Sequence, residues 1–349
     1  MCVMVENVPI SDNSQKLPCK SPKIQINILP VLSGDCIHLR FQSFDGWHNV
    51  IVDSGPAGAA ETFRTLLQQI ALHGECVDLL CFSHIDNDHI KGAERVFSSP
   101  GFDSSIIHKI WLNIPPSMLS ANSKSAMYRP ETVETACQLW NVLYGQDISC
   151  ETCVASGMET IVGDMQIIAV LPTLERLLNY YSEWEHQTRS LHYHPMSVQQ
   201  DTNPINGSSI TLLCTIGQNR LLFAGDAFSC DLAAVGTQYA GESGFSIVKL
   251  PHHGSDANIT TNMLTELRCR EFIISGRQNR YRPSPEAMAL LSNYGATTGE
   301  VTVYGNYDWP RFSAGVPNVT IVHPTNLQVM TVDKIEVFSD ASSTKLFTE

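Results

Sequence analysis

No stretch of this 349-residue chain approaches the ~20 consecutive apolar residues that a bilayer-spanning helix requires, which argues against a membrane protein of that kind. The first twenty residues, MCVMVENVPISDNSQKLPCK, lack the basic start and apolar core of a secretory leader, so a cytoplasmic protein is expected. Charge is sparse at 16%, and basic residues are scarcer than acidic ones, 22 against 35, for a net charge of −13. A surface of that sign does not attract nucleic acid as a whole, so any polyanionic substrate needs a local basic patch. Short-period repeats and low-complexity segments are also missing, and with 43% hydrophobic residues the composition is that of a globular chain. Eleven cysteines are present, but without framework spacing. Cys36, Cys81 and Cys214 fall in apolar strand-like runs and read as buried, reduced thiols. Cys150 and Cys153 form a lone CxxC with no second pair, which reads as an ordinary loop.

The length allows one large domain or two modest ones, with a sizeable core. Residues 1–22 read as a flexible arm and residues 23–349 as one domain, with residues 301–349 an extra C-terminal β-rich segment. Strand-like runs include IQINILPVL, CIHLRF, NVIVDSG, VDLLCFS, IWLNI and MQIIAVLP, then SITLLCTI, NRLLFAGD, FSIVKLP and EFIISG. Helical periodicity falls between them. Phe63, Leu66, Leu67 and Ile70 share one face of a helix, and Val133, Cys137, Trp140 and Leu143 or Tyr144 share one face of another. LERLLNYYSEWEHQ, TNMLTELRC and PSPEAMALLSNYG also read as helices. Strands dominating two halves, each with interleaved helices, suit two β-sheets packed face to face with helices outside. The expected fold class is α/β, a four-layer αββα sandwich.

Polar motifs recur where strands end, which is where a rigid scaffold holds chemical groups on loops. Asp53 ends NVIVDSG. Asp226 lies in LLFAGDA, and His252 and His253 follow FSIVKLP. The densest motif is CFSHIDNDHIKG, with His84, Asp86, Asp88 and His89 inside six residues. Taken singly, an Asp after a strand is commonly a turn residue, and an HHG pair is commonly a loop. Two imidazoles and two carboxylates so close together are costly neighbours unless a cation organises them.

In this order, GDCIHLRF…NVIVDSG, SHIDNDHIKG, NGSSITLL…LLFAGDA and VKLPHHGS resemble the metallo-β-lactamase superfamily over roughly residues 24–295. Within it, the pattern is most similar to the hydrolase domain of competence DNA-uptake channel proteins and their free-standing relatives. That branch carries Asp at the second position of the HxHxDH motif, as Asp86 does here. The resemblance implies the metallo-β-lactamase fold and two divalent ions, Mn²⁺ or Zn²⁺. His84 and Asp86 would hold one ion, and Asp88, His89 and His253 the other, with Asp226 bridging both. Asp88, the carboxylate nearest the attacking water, and His252, at the outer edge or the substrate, would take part in catalysis. Asp53 would orient a ligand histidine or its loop. Two ions ~3.5–4 Å apart activate water near neutral pH and stabilise entering and leaving oxygens.

The chain departs from the wider superfamily in two places. The third histidine that normally precedes the bridging Asp is missing, and Asn206 or Ser208 stands in that region. His192 and His194, just upstream, are candidates to reach in. The N-x-Y-G-H-P segment of the uptake branch reads Asn279-Arg280-Tyr281-Arg282-Pro283 here, so Arg282 would stand in for its histidine. Carboxylates at Asp86 and Asp226 favour manganese, while His89 and His253 still suit zinc.

The expected function is a metal-dependent hydrolase, a phosphodiesterase or nuclease, with nucleic acid or another phosphodiester bound by Arg277, Arg280 and Arg282. The bland alternative for these arginines is a solvated face. Lys249 lies two residues before Pro251, where strand alternation could turn it away. A lactone, thioester or ester hydrolase of the same fold is the alternative, and it would need an apolar pocket around Trp184, Tyr193 or Trp309. A non-catalytic interaction module is the third reading, and the intact ligand set argues against it.

Overall fold

The computed structural model describes residues 24–116, 131–146, 148–186, 200–322, 331–332 and 335–338. The expected arm at 1–22 and the loop residues His192, Tyr193 and His194 lie outside them, as does part of the C-terminal segment. Among the described residues the first sheet is built from β1 (Ile24–Ile28), β2 (Ile37–Ser43), β3 (Gly46–Val52), β4 (Leu79–Cys81), β5 (Lys109–Trp111) and β6 (Ser149–Glu151). The second takes β7 (Glu159–Val162), β8 (Met165–Leu171), β9 (Thr211–Ile216), β10 (Asn219–Phe223), β11 (Ile247–Lys249), β12 (Glu271–Ile274), β13 (Val301–Gly305) and β14 (Val319–Val322). Two last strands, β15 (Thr331–Val332) and β16 (Ile335–Phe338), return to the first sheet, where β16 pairs parallel to β1. Chain beyond residue 300 thus extends both sheets.

The helices are α1 (Ala60–Leu72), α2 (Asn87–Phe97), α3 (Glu131–Tyr144), α4 (Leu174–His186), α5 (Pro204–Gly207), α6 (Ser229–Tyr239), α7 (Thr261–Leu267) and α8 (Pro285–Thr298). Strand alternation sorts side chains into three cores. Val50, Val52, Leu79 and Cys81 face the space between the sheets, where they meet Ile167, Leu212, Leu221 and Phe223. Ile51 and Leu80 face outward and pack with Phe63, Leu66, Leu67 and Ile70 of α1 and with Ile90 of α2. On the other sheet Leu222, Val248 and Phe272 face outward against Leu232, Met263 and Leu291 of α6, α7 and α8. Each such Leu, Ile or Phe contributes ~1.5–3 kcal/mol by leaving water. Helix, sheet, sheet and helix in succession make the four-layer αββα sandwich expected from the periodicity.

The predicted α1 face is buried throughout. On α3, Val133, Cys137 and Leu143 are buried, Trp140 is half-buried and Tyr144 is exposed. Trp184 and Trp309 are packed into the two outer cores rather than around an open apolar pocket. All nine cysteines among the described residues are free thiols, with Cys36, Cys81 and Cys214 buried and Cys153 exposed. No helix of the described residues is long and apolar enough to cross a membrane.

Candidate metal centre

Topology brings the polar motifs to one edge. β3 and β4 run parallel, so Asp53 and the His84–His89 loop leave the first sheet at the same end. β10, β11 and β12 are also parallel, so Asp226, the Pro251–Gly254 turn and the Ser275–Arg282 loop leave the second sheet together. Helix α2 starts within the HIDNDH loop, with Asp86 as its extended N-cap and Asp88 and His89 in its first turn. The SGDC turn before β2 passes hard against this loop: a β-carbon on Gly34 would lie 1.9 Å from the Asp88 carbonyl oxygen.

All four histidines commit Nδ1 to an acceptor. The Ser83 hydroxyl donates to Asp53 Oδ2 at 2.8 Å, leaving its lone pairs for His84 Nδ1–H at 3.0 Å. His89 Nδ1–H donates to Asp53 Oδ2 at 2.8 Å, and His253 Nδ1–H to the Ser275 carbonyl at 3.1 Å. His252 Nδ1–H donates to Asn258 Oδ1 at 2.8 Å, because the Asn258 amide nitrogen is turned to Asp201 and to backbone carbonyls. These assignments follow from the network and leave each Nε2 with its lone pair facing inward.

Carboxylates stand opposite those lone pairs. His84 Nε2 is 3.6 Å from Asp86 Oδ2 and 3.8 Å from Asp226 Oδ2. His252 Nε2 is 3.4 Å from the same Asp226 oxygen. On the other side, His89 Nε2 is 3.6 Å from Asp226 Oδ1 and 3.9 Å from Asp88 Oδ1, and His253 Nε2 is 3.3 Å from Asp88 Oδ2. Nε2 of His84, His89 and His253 and Oδ1 of Asp226 are buried without a hydrogen bond among the described residues. Buried acceptors aimed at acceptors are unfavourable unless a cation lies between them or protons are taken up. The donor set fits two divalent ions flanking Asp226. His84, Asp86 and Asp226 Oδ2 would hold one, and Asp88, His89, His253 and Asp226 Oδ1 the other.

The electrostatics have the same sign. Burial disfavours a charged His253, yet Asp35 and Asp88 carry its pKa up to about 9. Burial likewise opposes a charged His89, and Asp53, Asp226 and Asp88 override it. Burial would raise the Asp226 carboxyl, but His252, His89 and His84 hold it well below the usual carboxylate range. Asp86 and Asp88 keep side-chain exposures of 27% and 31%, against 3% or less for His84, His89, Asp226 and His253, which marks the open side of the centre.

Two further residues stand behind the imidazoles. Lys249 has the same strand parity as Ile247 and therefore points between the sheets. Its ammonium pairs with Asp35, donates to the Gly225 carbonyl at 2.9 Å and lies 3.9 Å from Asp226. Asp35 Oδ1 is 3.2 Å from His253 Nδ1, and Oδ2 is 3.9 Å from His89 Nδ1. Ligand-type atoms of Asp35, His89, Asp226 and His253 all fall within 4.8 Å of one another. Asp35 meets the Nδ1 side of both rings, so it supplies counter-charge from the rear. Burial would raise its carboxyl, and Lys249 and His253 hold it far below the ordinary value.

The structure thus brings His84, Asp86, Asp88, His89, Asp226, His252 and His253 together, with Asp53 bonded to His89 and to Ser83. Asn206 reaches the centre indirectly, donating at 2.7 Å to Asp201 Oδ2, which is 3.4 Å from His252 Nδ1. Ser208 turns its hydroxyl to the Ile205 carbonyl. Arg277, Arg280 and Arg282 lie on the loop that continues from Gly276, where a β-carbon would be 3.7 Å from His253. Arg311 fixes that loop by donating to the carbonyls of Asn279, Arg280 and Pro283. The three loop arginines make no ion pair with a described residue, and Arg280 rests 5.5 Å from the Tyr281 ring.

A family model described as the metallo-β-lactamase superfamily matches residues 35–147, which include Asp35, Asp53 and the whole HIDNDH loop. Among solved structures, CmlA, a diiron β-hydroxylase from Streptomyces venezuelae, is 14% identical over 82% of this chain and 53% of its own, with a TM-score of 0.43. A metallo-β-lactamase with a HARLDQ motif from Cronobacter sakazakii is 11% identical over 54% and 52%, with a TM-score of 0.28. A class B3 di-zinc metallo-β-lactamase from an Alaskan soil metagenome is 14% identical over 70% and 82%, with a TM-score of 0.29. This chain spans about half the length of the first two. No curated protein matches it. Residues 35–147 thus match the metallo-β-lactamase superfamily model, and the two-sheet α/β architecture is consistent with that fold.

Proposed function

We propose that the chain is a metal-dependent phosphodiesterase acting on nucleic acid or a related phosphodiester. The observation that carries the metal half is the convergence of inward-facing Nε2 atoms on Asp86, Asp88 and Asp226 without hydrogen bonds to satisfy them. Two divalent cations, Mn²⁺ or Zn²⁺, supply water activation near neutral pH and stabilise charge on the reacting oxygens. The chain's own residues do the rest. Asp88, at the open side, takes the proton of the attacking water. Asp53 and Ser83 hold His84 and His89 in the tautomer that presents Nε2. Lys249 and Asp35 fix the net charge behind the ligands.

The substrate half is supported by the three arginines on the loop that continues from Gly276, whose backbone Arg311 holds and which have no carboxylate partners among the described residues. Guanidinium groups suit phosphate oxygens. Kinship to the DNA-uptake branch belongs to the same proposal and rests on Asp86, the PHHG turn and the Asn206–Ser209 segment. With a net charge of −13, the substrate is short or single-stranded, or a partner supplies the remaining basic surface. The free thiols suit a reducing compartment such as the cytoplasm. The lactone or ester reading has less behind it, since Trp184 and Trp309 are occupied in the outer cores.

A panel of a chromogenic phosphodiester, single-stranded DNA, RNA and a lactone, each with Mn²⁺, Zn²⁺ or EDTA, tests the proposal. Phosphodiesters should be cleaved only with metal, and a folded Asp88→Ala protein should be inactive. Arg282→Ala should weaken phosphodiester cleavage by ~1.5–3 kcal/mol, the worth of a charge-assisted hydrogen bond, and leave a neutral ester untouched. Lactone turnover without phosphodiester turnover would replace the substrate half. Wild-type rates in Asp88→Ala would move the active site elsewhere.

A further inference from the structure

The two ion positions are unequally furnished. On the second, Asp88, His89, His253 and Asp226 Oδ1 make four donors. On the first, His84, Asp86 and Asp226 Oδ2 make three. In the region of the missing third histidine, Ser208 has bonded its hydroxyl to Ile205, while Asn206 has turned its amide nitrogen to Asp201 and leaves Oδ1 buried without a hydrogen bond among the described residues, so that oxygen is the competing donor. We propose that His252 is the fourth ligand of the first ion, so that two neighbouring residues of one turn each serve a different ion. This rests on the two-ion reading of the centre.

Three observations carry it. His252 Nε2 is 3.4 Å from Asp226 Oδ2, the carboxylate oxygen that also faces His84 Nε2 at 3.8 Å, so both rings address the same side of the bridge. Its other nitrogen is fixed: Nδ1–H donates to Asn258 Oδ1 at 2.8 Å, and Asp201, itself held by Asn206 and Asn258, stands 3.4 Å away. A lone pair thus oriented against a carboxylate oxygen is the arrangement a ligand histidine and its supporting acceptor present. The backbone explains how adjacent residues reach opposite sides. His252 (φ 53, ψ 46) and His253 (φ 54, ψ 30) are consecutive left-handed residues, a conformation disfavoured for any side chain with a β-carbon. It places their rings 6.2 Å apart with planes at 65°, one toward Asp226 Oδ2 and the other toward Asp88. The turn is tied to the bridge by the bond from His252 N to the Gly225 carbonyl at 3.1 Å.

The test reads metal, not turnover. Metal-depleted protein is titrated with Mn²⁺ and with Zn²⁺ against a chelator of known affinity, and bound metal is counted by elemental analysis. Wild type should take two ions. His252→Ala, and His252→Gly whose backbone accepts the left-handed turn, should hold one ion with unchanged affinity and bind the other more than 100-fold more weakly. Asn258→Ala, which frees the ring and also releases Asp201 and the carbonyls of Asp226 and Ala227, should weaken that same ion by ~10–100-fold, the range for a supporting residue. Two ions bound as tightly in His252→Gly as in wild type would overturn the assignment while leaving two-ion binding intact. Loss of the ion in Asn206→Ala, with His252→Gly unaffected, would overturn it in favour of the amide oxygen. A wild type that never exceeds one ion in excess metal would remove the two-ion reading and this ligand with it.

Discussion

Asp53 is mounted on a left-handed backbone, φ 63, immediately after β3, and from there accepts from Ser83 N, Ser83 Oγ and His89 Nδ1 within 2.7–2.8 Å. One carboxylate therefore sets the loop and the tautomer of His89 at once, and through Ser83 the tautomer of His84. Asp53→Ala should lower metal affinity by ~10–100-fold in a chelator competition while the protein stays folded. Unchanged affinity would mean that Asp35 orients His89 by itself. Much of this centre is visible in the linear sequence because His84, Asp86, Asp88 and His89 fall within one loop, and Asp226 and the His252–His253 pair each end a strand. Asp35, Lys249, Asp201 and Asn258 are not visible in that way. Each is a single polar residue in a turn or strand whose ordinary reading is a cap, a solvated side chain or a loop. Only the register that turns Lys249 inward, or the packing that sets Asp201 against His252, gives them work. Strand parity with Ile247 was the one available signal for Lys249.

Among the elements, α1 and α3 are legible because large apolar residues recur at helical spacing. Helix α6, SCDLAAVGTQY, is not, because its small residues blur the period. Its Gly236 packs so close to α7 that a β-carbon would sit 2.5 Å from the Glu266 carbonyl carbon. Helix α2 shows the same close approach at the centre itself. Inside a helix, Gly→Ala ordinarily stabilises by ~1 kcal/mol. At Gly92 a β-carbon would lie 2.2 Å from the Ser54 carbonyl oxygen, in the turn that carries Asp53. Crowding of that kind costs ~1–3 kcal/mol, so Gly92→Ala should destabilise and also weaken metal binding. Denaturant midpoints with and without metal would show it, and a more stable variant would mean α2 can shift freely. The β1–β3 strands carry a different test. His38 is buried between Asn27, which donates to Nδ1 at 3.1 Å, and Asn49 Oδ1, which accepts from Nε2 at 2.8 Å. Burial pushes its pKa down to about 4, with Arg40 adding to the effect and Asn49 opposing it. The unfolded chain takes up that proton near 6.5 and the folded chain only near 4, so the unfolded state binds more protons in between. The contribution is complete above pH 6.5 and falls by up to ~3 kcal/mol as the pH drops to 4. Wild-type stability minus that of His38→Gln should decline across this window, and a flat difference would show that His38 is protonated in the fold.

At the scale of the whole molecule, the centre is a joint between the two sheets. His84, Asp86, Asp88 and His89 follow β4 of the first sheet, whereas Asp226, His252 and His253 follow β10 and β11 of the second. The inter-sheet core holds the sheets together by burial alone, through side chains such as Ile26, Leu39, Leu212 and Phe223. That attraction is non-directional and does not fix the sheets' registration at the edge. There, buried carboxylates and inward-facing imidazole lone pairs oppose close approach, and cations would reverse the sign of the contact. Ions that bind the folded chain and not the unfolded one should stabilise it by RT ln(1 + [L]/Kd), ~2.7 kcal/mol per ion when free metal is 100 times Kd. Unfolding of wild type should therefore move to lower temperature on chelation and return on adding Mn²⁺ or Zn²⁺, by an amount that rises with metal concentration. Asp226→Ala removes the bridge shared by both ions, so its unfolding temperature should respond little to either chelator or metal. The alternative is that the core alone sets stability and the edge ligands are indifferent to cations. Wild type would then unfold at the same temperature in EDTA and in excess metal, and the joint between the sheets would have to be sought in the Lys249–Asp35 pair instead.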